Sequence, residues 1–140
     1  MPDMFQEVVD FNSLIVLKRF EAGLPMQTEG DRVSMQWRLV QEELTELKEE
    51  LDTYDGSNSY RANTAKELCD LLYVVLGLAF HLNLDIRKVW ENTHRNNMSK
   101  ILHGSIRQDG KLLKPNNFVT YKPEEVSEIY DDLYDFVAPI

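Results

Sequence analysis

Two stretches decide the reading of this chain: Glu42-Glu43-Leu44-Thr45-Glu46, and Glu67-Leu68-Cys69-Asp70-Leu71-Leu72-Tyr73-Val74-Val75-Leu76-Gly77-Leu78-Ala79-Phe80-His81-Leu82. Residues three apart on an α-helix share a face, so Glu43 points with Glu46 and Glu67 points with Asp70. From Leu68 onward the second stretch is apolar nearly all the way round, the signature of a buried helix. An ionised carboxylate in such a setting is costly unless paired, so Asp70 needs a partner. A hard divalent cation, which takes oxygen ligands, is the simplest partner for a cluster of carboxylates.

Working outward, the first pattern lies inside Gln36–Asp52, on a second helix that Asp31 can cap. Trp37, Val40, Leu44, Leu47 and Leu51 follow the 3-4-3-4 spacing of a bundle seam. Glutamates 42 to 50 taken alone would be an ordinary solvated face. The segment Thr53–Arg61 is a polar loop with turn residues. Asn63 or Thr64 then caps a third helix that runs to about Leu82 and ends at Asn83. Two antiparallel helices joined by this loop bring Glu43 and Glu46 opposite Glu67 and Asp70. Four carboxylates facing one small volume make sense as a Mg²⁺ site, with Glu42 helping, and the matching substrate is a phosphate ester or anhydride. Zinc fits less well, because neither His nor Cys stands at ligand spacing.

Upstream, apolar residues from Phe5 to Phe20 recur near helical period, with Asp3 as cap and Gly23 and Pro25 as stop. Downstream, Asp85 caps a fourth helix, Ile86 to about Lys100. A loop over 103–118 follows, and Pro123 opens a last helix whose apolar face is Val126, Ile129, Leu133 and Phe136. No credible strand emerges. The expected architecture is all-α: one domain over 1–140, a four-helix bundle with an additional C-terminal helix.

Composition agrees with a globular enzyme. The 140 residues are 43% hydrophobic and 28% charged, with a net charge of −9. That charge argues against a nucleic-acid partner, and no apolar run is long enough for a membrane span. The default is a cytoplasmic protein. The lone Cys69 reads as a buried small hydrophobe of a reducing compartment. His81, His94 and His103 read as core, surface and loop residues rather than ligands, and Trp37 and Trp90 as core. Arg95, Asn96, Asn97, Ser99 and Lys100 end the fourth helix with donors suited to a polyphosphate and a base edge, and Lys111 and Lys114 follow.

The residues Glu42-Glu43-Leu44-Thr45-Glu46 and Glu67-Leu68-Cys69-Asp70-Leu71-Leu72-Tyr73 resemble the paired carboxylate signature of the all-α nucleoside triphosphate pyrophosphohydrolases, the MazG-like superfamily. His94-Arg95-Asn96-Asn97-Met98-Ser99-Lys100, Asp109-Gly110-Lys111 and Leu113-Lys114-Pro115 resemble its phosphoribosyl-ATP-pyrophosphatase-like branch, a relative of the dimeric dUTPases. The resemblance implies a Mg²⁺-dependent enzyme, with Mn²⁺ as substitute, that cleaves a (d)NTP such as dUTP between the α and β phosphates to a nucleoside monophosphate and pyrophosphate. It implies Glu43, Glu46, Glu67 and Asp70 as metal ligands. Glu42 becomes a further ligand or the group that orients water, and Glu42 or Glu46 is the candidate proton acceptor. Asn97 and Lys100 bind substrate, joined by Lys111 and Arg95. Trp37 and residues 21–30 are where the base would sit. It also implies a homodimer or homotetramer. Two alternatives stand beside this reading: phosphoribosyl-ATP as substrate, and a non-catalytic helical dimer that binds metal or a partner. The placement of Glu67 and Asp70, towards solvent or towards Glu43 and Glu46, separates enzyme from interaction module.

Overall fold

A computed structural model describes residues 3–131 of the chain. Four helices carry most of the described residues: α1 (Met4–Glu21), α2 (Glu29–Leu51), α3 (Asn58–His81) and α4 (Arg87–His103). The strands β1 (Leu84–Asp85), β2 (Ser105–Ile106), β3 (Leu112–Leu113) and β4 (Ser127–Glu128) hold two residues each, so the fold is all-α with no significant sheet. The chain divides into two compact units. One comprises the described residues up to Leu84 and those from Glu128, and the other comprises Asp85–Ser127.

In the first unit α2 and α3 form the principal pair, and α1 packs on α3. Gln36 bonds the carbonyl of Val74, and Arg32 reaches the carbonyl of His81. As the α2 number falls its α3 partner rises, so the two helices run antiparallel. The core centres on Phe80, Val8 and Val9, all essentially without exposure. Buried beside them are four polar side chains, Asn12, Arg32, Gln36 and His81. Gly77 makes room for this layer, because a Cβ there would stand 2.5 Å from Gln36 Nε2. Gln36 and Asn12 use their amides to bond carbonyls of Val74 and Val8 (2.8 and 2.9 Å), which is how a buried amide avoids the cost of desolvation.

Helix starts differ from the sequence expectation. Asp3 caps α1 as expected, its side chain accepting from Gln6 N. For α2 the cap is Thr28, whose hydroxyl accepts from Asp31 N, rather than Asp31 itself. For α3 the cap is Ser57, accepting from Tyr60 N, so the helix takes in residues 58–62 that the sequence reading placed in a loop. Asp55 steadies that start by accepting from Ser57 N at 2.9 Å. Ser, Asn and Thr near a cap are compatible with either state, and side-chain bonds to backbone N–H groups choose the helix. For α4 the cap is Ile86, with no side-chain capping bond, rather than Asp85; Asp85, one residue earlier, accepts from Arg87 N at 3.2 Å, and the helix runs from Arg87 on to His103.

Asn83 ends α3 as expected, in the left-handed region at φ 55°. Its side chain then anchors the returning chain: Oδ1 accepts from Ile129 N and Tyr130 N at 3.0 Å each, and Nδ2 donates to Tyr130 O at 2.7 Å. Tyr130 also bonds Ser13 at 2.8 Å and packs edge-on to Phe80. The C-terminal helix expected from Pro123 is absent over 123–131, where the chain is extended or turned. The bonds from Asn83 consume backbone N–H groups that a helix would need for its own turns. Leu133 and Phe136 lie outside the described residues.

Burial also departs from expectation. Of the α2 seam, Val40 and Leu47 are buried, whereas Trp37, Leu44 and Leu51 are exposed. Along α3, Leu68, Leu72, Tyr73 and Val75 are exposed, and so is Cys69. Trp90 is 69% exposed on α4. An all-round apolar helix in a unit this small has more apolar surface than two neighbouring helices can cover.

Candidate active site

The register of α2 on α3 brings three carboxylates together. Ligand oxygens of Glu43, Glu46 and Glu67 all lie within 4.8 Å of one another. Burial, the hydrogen bond with Glu46, and the charges of Glu46, Asp70 and Glu67 together raise the Glu43 carboxyl above the usual carboxylate range, burial being the largest cause. Glu43 Oε2 and Glu67 Oε2 are buried without a hydrogen-bond partner. Orphaned carboxylate oxygens that converge in this way fit a hard divalent cation, which would replace the missing donors and reverse the repulsion.

Asp70 faces the same region, since its charge acts on Glu43, but its Oδ2 is taken by Lys66 Nζ at 2.5 Å. The same ammonium lies 3.9 Å from Glu67 Oε1. The expected need for a partner at Asp70 is thus met by a cation of the chain itself. The i, i+4 spacing of Lys66 and Asp70 was the available signal. Glu67 and Asp70 are both partly buried, with side chains 18% and 37% exposed, so they do not form an open solvated face. Glu42, one residue before Glu43 and about 100° round the helix, is exposed and stands outside the trio. Trp37 is on α2 and half exposed rather than in the core.

The remaining candidates belong to the second unit. Arg95 Nη1 bonds Asn92 Oδ1 at 3.2 Å, and Lys100 Nζ bonds Asn97 Oδ1 at 2.9 Å, so Asn97 and Lys100 act as a pair on one turn of α4. Asn96 is a structural residue: its Nδ2 holds Val119 O at 3.2 Å. Lys111 is exposed after the Asp109–Gly110 turn, where Gly110 has φ 92°. His81 is buried as expected. Burial, and secondarily the Arg32 charge, lower its imidazole to about 4, so it is neutral at pH 7. His94 and His103 lie exposed on α4.

An antiparallel helical pair with a carboxylate cluster across it is an all-α site that fits a divalent cation. The profile of the phosphoribosyl-ATP pyrophosphohydrolase family matches residues 17–97, more than half of the chain, and the protein belongs to that family. It is therefore a pyrophosphohydrolase, a hydrolase acting on phosphoric anhydrides. The match includes all four carboxylates and stops before Lys100 and Lys111. No curated protein matches the chain significantly in sequence.

Proposed function

We propose that this protein is a divalent-metal-dependent nucleoside triphosphate pyrophosphohydrolase that cleaves a (d)NTP, dUTP among the candidates, between the α and β phosphates to a monophosphate and pyrophosphate. The observation that carries the reading is the convergence of Glu43, Glu46 and Glu67 within 4.8 Å, with buried oxygens lacking partners. Glu43, Glu46, Glu67 and Asp70 would hold Mg²⁺, or Mn²⁺ in its place. The bound cation supplies neutralisation of phosphoryl oxygens and acidification of water. Glu46, the exposed member of the trio, and Glu42, one turn before it on α2, would orient water and take its proton. Asp70 would serve as a ligand in exchange for its ion pair with Lys66. Asn97, Lys100, Lys111 and Arg95 bind the substrate's phosphates, and Trp37 offers an exposed ring to the base.

A second reading, phosphoribosyl-ATP as substrate, is favoured by the description of the matched family. One experiment covers both: pyrophosphate release from a panel of dNTPs, NTPs and phosphoribosyl-ATP, with Mg²⁺ and with EDTA. Release of pyrophosphate rather than orthophosphate, abolished by EDTA, is the expected result. Absence of release from every nucleotide would overturn the proposal. The chain also assembles, in this reading, as a homodimer or homotetramer. The support is the exposed apolar surface of α2 and α3, which includes Trp37, Leu44, Leu68, Leu72 and Val75.

A further inference from the structure

One lysine reaches into the carboxylate cluster. Lys66 sits one turn of α3 before Asp70, at the i, i+4 spacing that lets a long side chain close on a carboxylate. Its Nζ is 2.5 Å from Asp70 Oδ2 and 3.9 Å from Glu67 Oε1. The bond and charge of Asp70 hold this ammonium above the ordinary lysine range, and the charges of Glu67 and of Glu43, across on α2, add to the effect. Lys66 is thus a counter-cation to acids of both helices.

The pairing coincides with a gap in the cluster. Glu43, Glu46 and Glu67 bring oxygens within 4.8 Å of one another, and Asp70 is the acid left out of that convergence. It is also the acid that Lys66 bonds. Meanwhile Glu43 Oε2 and Glu67 Oε2 are buried without a partner. A single ammonium has three donors, and here it engages the edge of the cluster while the buried oxygens go unmet. The hold is also weak. The Lys66 side chain is 69% exposed, and an ion pair so open to water contributes little. Breaking it moves one flexible side chain and leaves both helices in place.

A pair of the same kind elsewhere gives the contrast. Lys48 bonds Asp52 on α2, again at i, i+4, and is equally exposed. It lies two residues from Glu46, about 200° round the helix. Among the described residues it has no second carboxylate within ion-pair distance.

We infer that Lys66 is a built-in competitor for the divalent cation: it withholds Asp70 from the other three acids and so sets the cation concentration at which the site fills. In naming the competing ion the inference rests on the metal-dependent reading above. Lys66 is a positioning residue, acting on the cation through Asp70. The site fills by exchange of one charge partner for another rather than by simple addition.

The test is Mn²⁺ binding to the full chain without nucleotide, read from the EPR signal of the free ion, in the wild type, Lys66→Met, Lys66→Arg and Lys48→Met. The expected result is about fivefold tighter binding in Lys66→Met, the weight of one exposed ion pair, with Lys66→Arg and Lys48→Met like the wild type. Thermal shift should give opposite signs in the two states: Lys66→Met melts lower than the wild type in EDTA and gains more from Mn²⁺. Methionine is nearly as good a helix former as lysine, so the variant keeps its fold, checked by circular dichroism. The inference is overturned by unchanged or weaker Mn²⁺ binding in Lys66→Met, or by an equal gain in Lys66→Arg or Lys48→Met. Failure of the metal-dependent reading looks different: the wild type itself binds no Mn²⁺. Failure of the enzymatic reading differs again, because the nucleotide panel releases no pyrophosphate while the Lys66 effect persists.

Discussion

Glu43 sits where the electrostatic conflict of this protein is greatest, hemmed in by Glu46, Glu67 and Asp70. Without a cation its ionised form is disfavoured. Glu43→Gln should therefore raise the melting temperature in EDTA and shrink the increase that Mg²⁺ or Mn²⁺ produces in the wild type, a comparison read by thermal shift. Asp70 is the other informative position. Asp70→Asn keeps shape and hydrogen-bonding capacity while removing the charge, so hydrolysis should be lost with helix content and assembly state unchanged. Full activity in that variant would remove Asp70 from the site. At His81 the sign is set by burial. The imidazole titrates near 6.5 when exposed and at about 4 in the fold, so the unfolded chain takes up its proton first as pH falls. Its contribution is complete above pH 6.5 and is lost progressively towards pH 4. The amount at stake is on the order of 3 kcal/mol, at about 1.4 kcal/mol for each pH unit that separates the two titrations. Urea denaturation of the wild type and His81→Gln across this range should show the steeper acid decline in the wild type.

At the scale of elements, the α2–α3 pair depends on one small residue. Glycine within a helix costs roughly 1 kcal/mol relative to alanine. A methyl at position 77 would recover that, but it would meet Gln36 Nε2 at 2.5 Å and Gln36 Cδ at 3.2 Å. Gln36 is buried and bonded to Val74, so it cannot swing aside without abandoning that bond. Overpacking of this kind costs about 1–3 kcal/mol, and Gly77→Ala should lower stability by up to about 2 kcal/mol once the propensity gain is subtracted. Chemical denaturation measures it directly. The α2–α3 register was legible from the spacing of Glu43, Glu46, Glu67 and Asp70 along with the seam at Val40 and Leu47. The α3 start was not, because Ser57, Asn58 and Ser59 suit a turn as well as a first helical turn, and only the capping bond from Tyr60 N decides. The missing helix over 123–131 has a related cause. Pro123, Glu124 and Glu125 form a good local start, but Asn83, forty-six residues away from Ile129, captures the backbone there.

At the scale of the whole molecule, charge and apolar surface are unevenly placed. The acidic cluster lies in one unit and the excess of lysine and arginine in the other. Among the described residues no helix is long and apolar enough to cross a membrane, so the exposed leucines and tryptophans are not explained by a bilayer span. Self-association is the expected outcome. Light scattering coupled to gel filtration should give twice or four times the 16.4 kDa chain mass, and Leu72→Glu should shift it towards the monomer.

Local chemistry in the sequence was enough to determine the all-α class, the helical pair, the facing carboxylates, the Asn83 terminus and the burial of His81. Periodicity, capping and charge repulsion act over a few residues and leave a readable trace. Tertiary structure alone decided which apolar positions are covered, why Cys69, Trp37 and Trp90 are exposed, and that Lys66 pairs with Asp70. It alone brought Lys100 and Lys114 to the Phe118 ring. Burial and ring contacts depend on which surfaces meet across long sequence separations, and the loop that delivers Phe118 is positioned by asparagines more than twenty residues earlier.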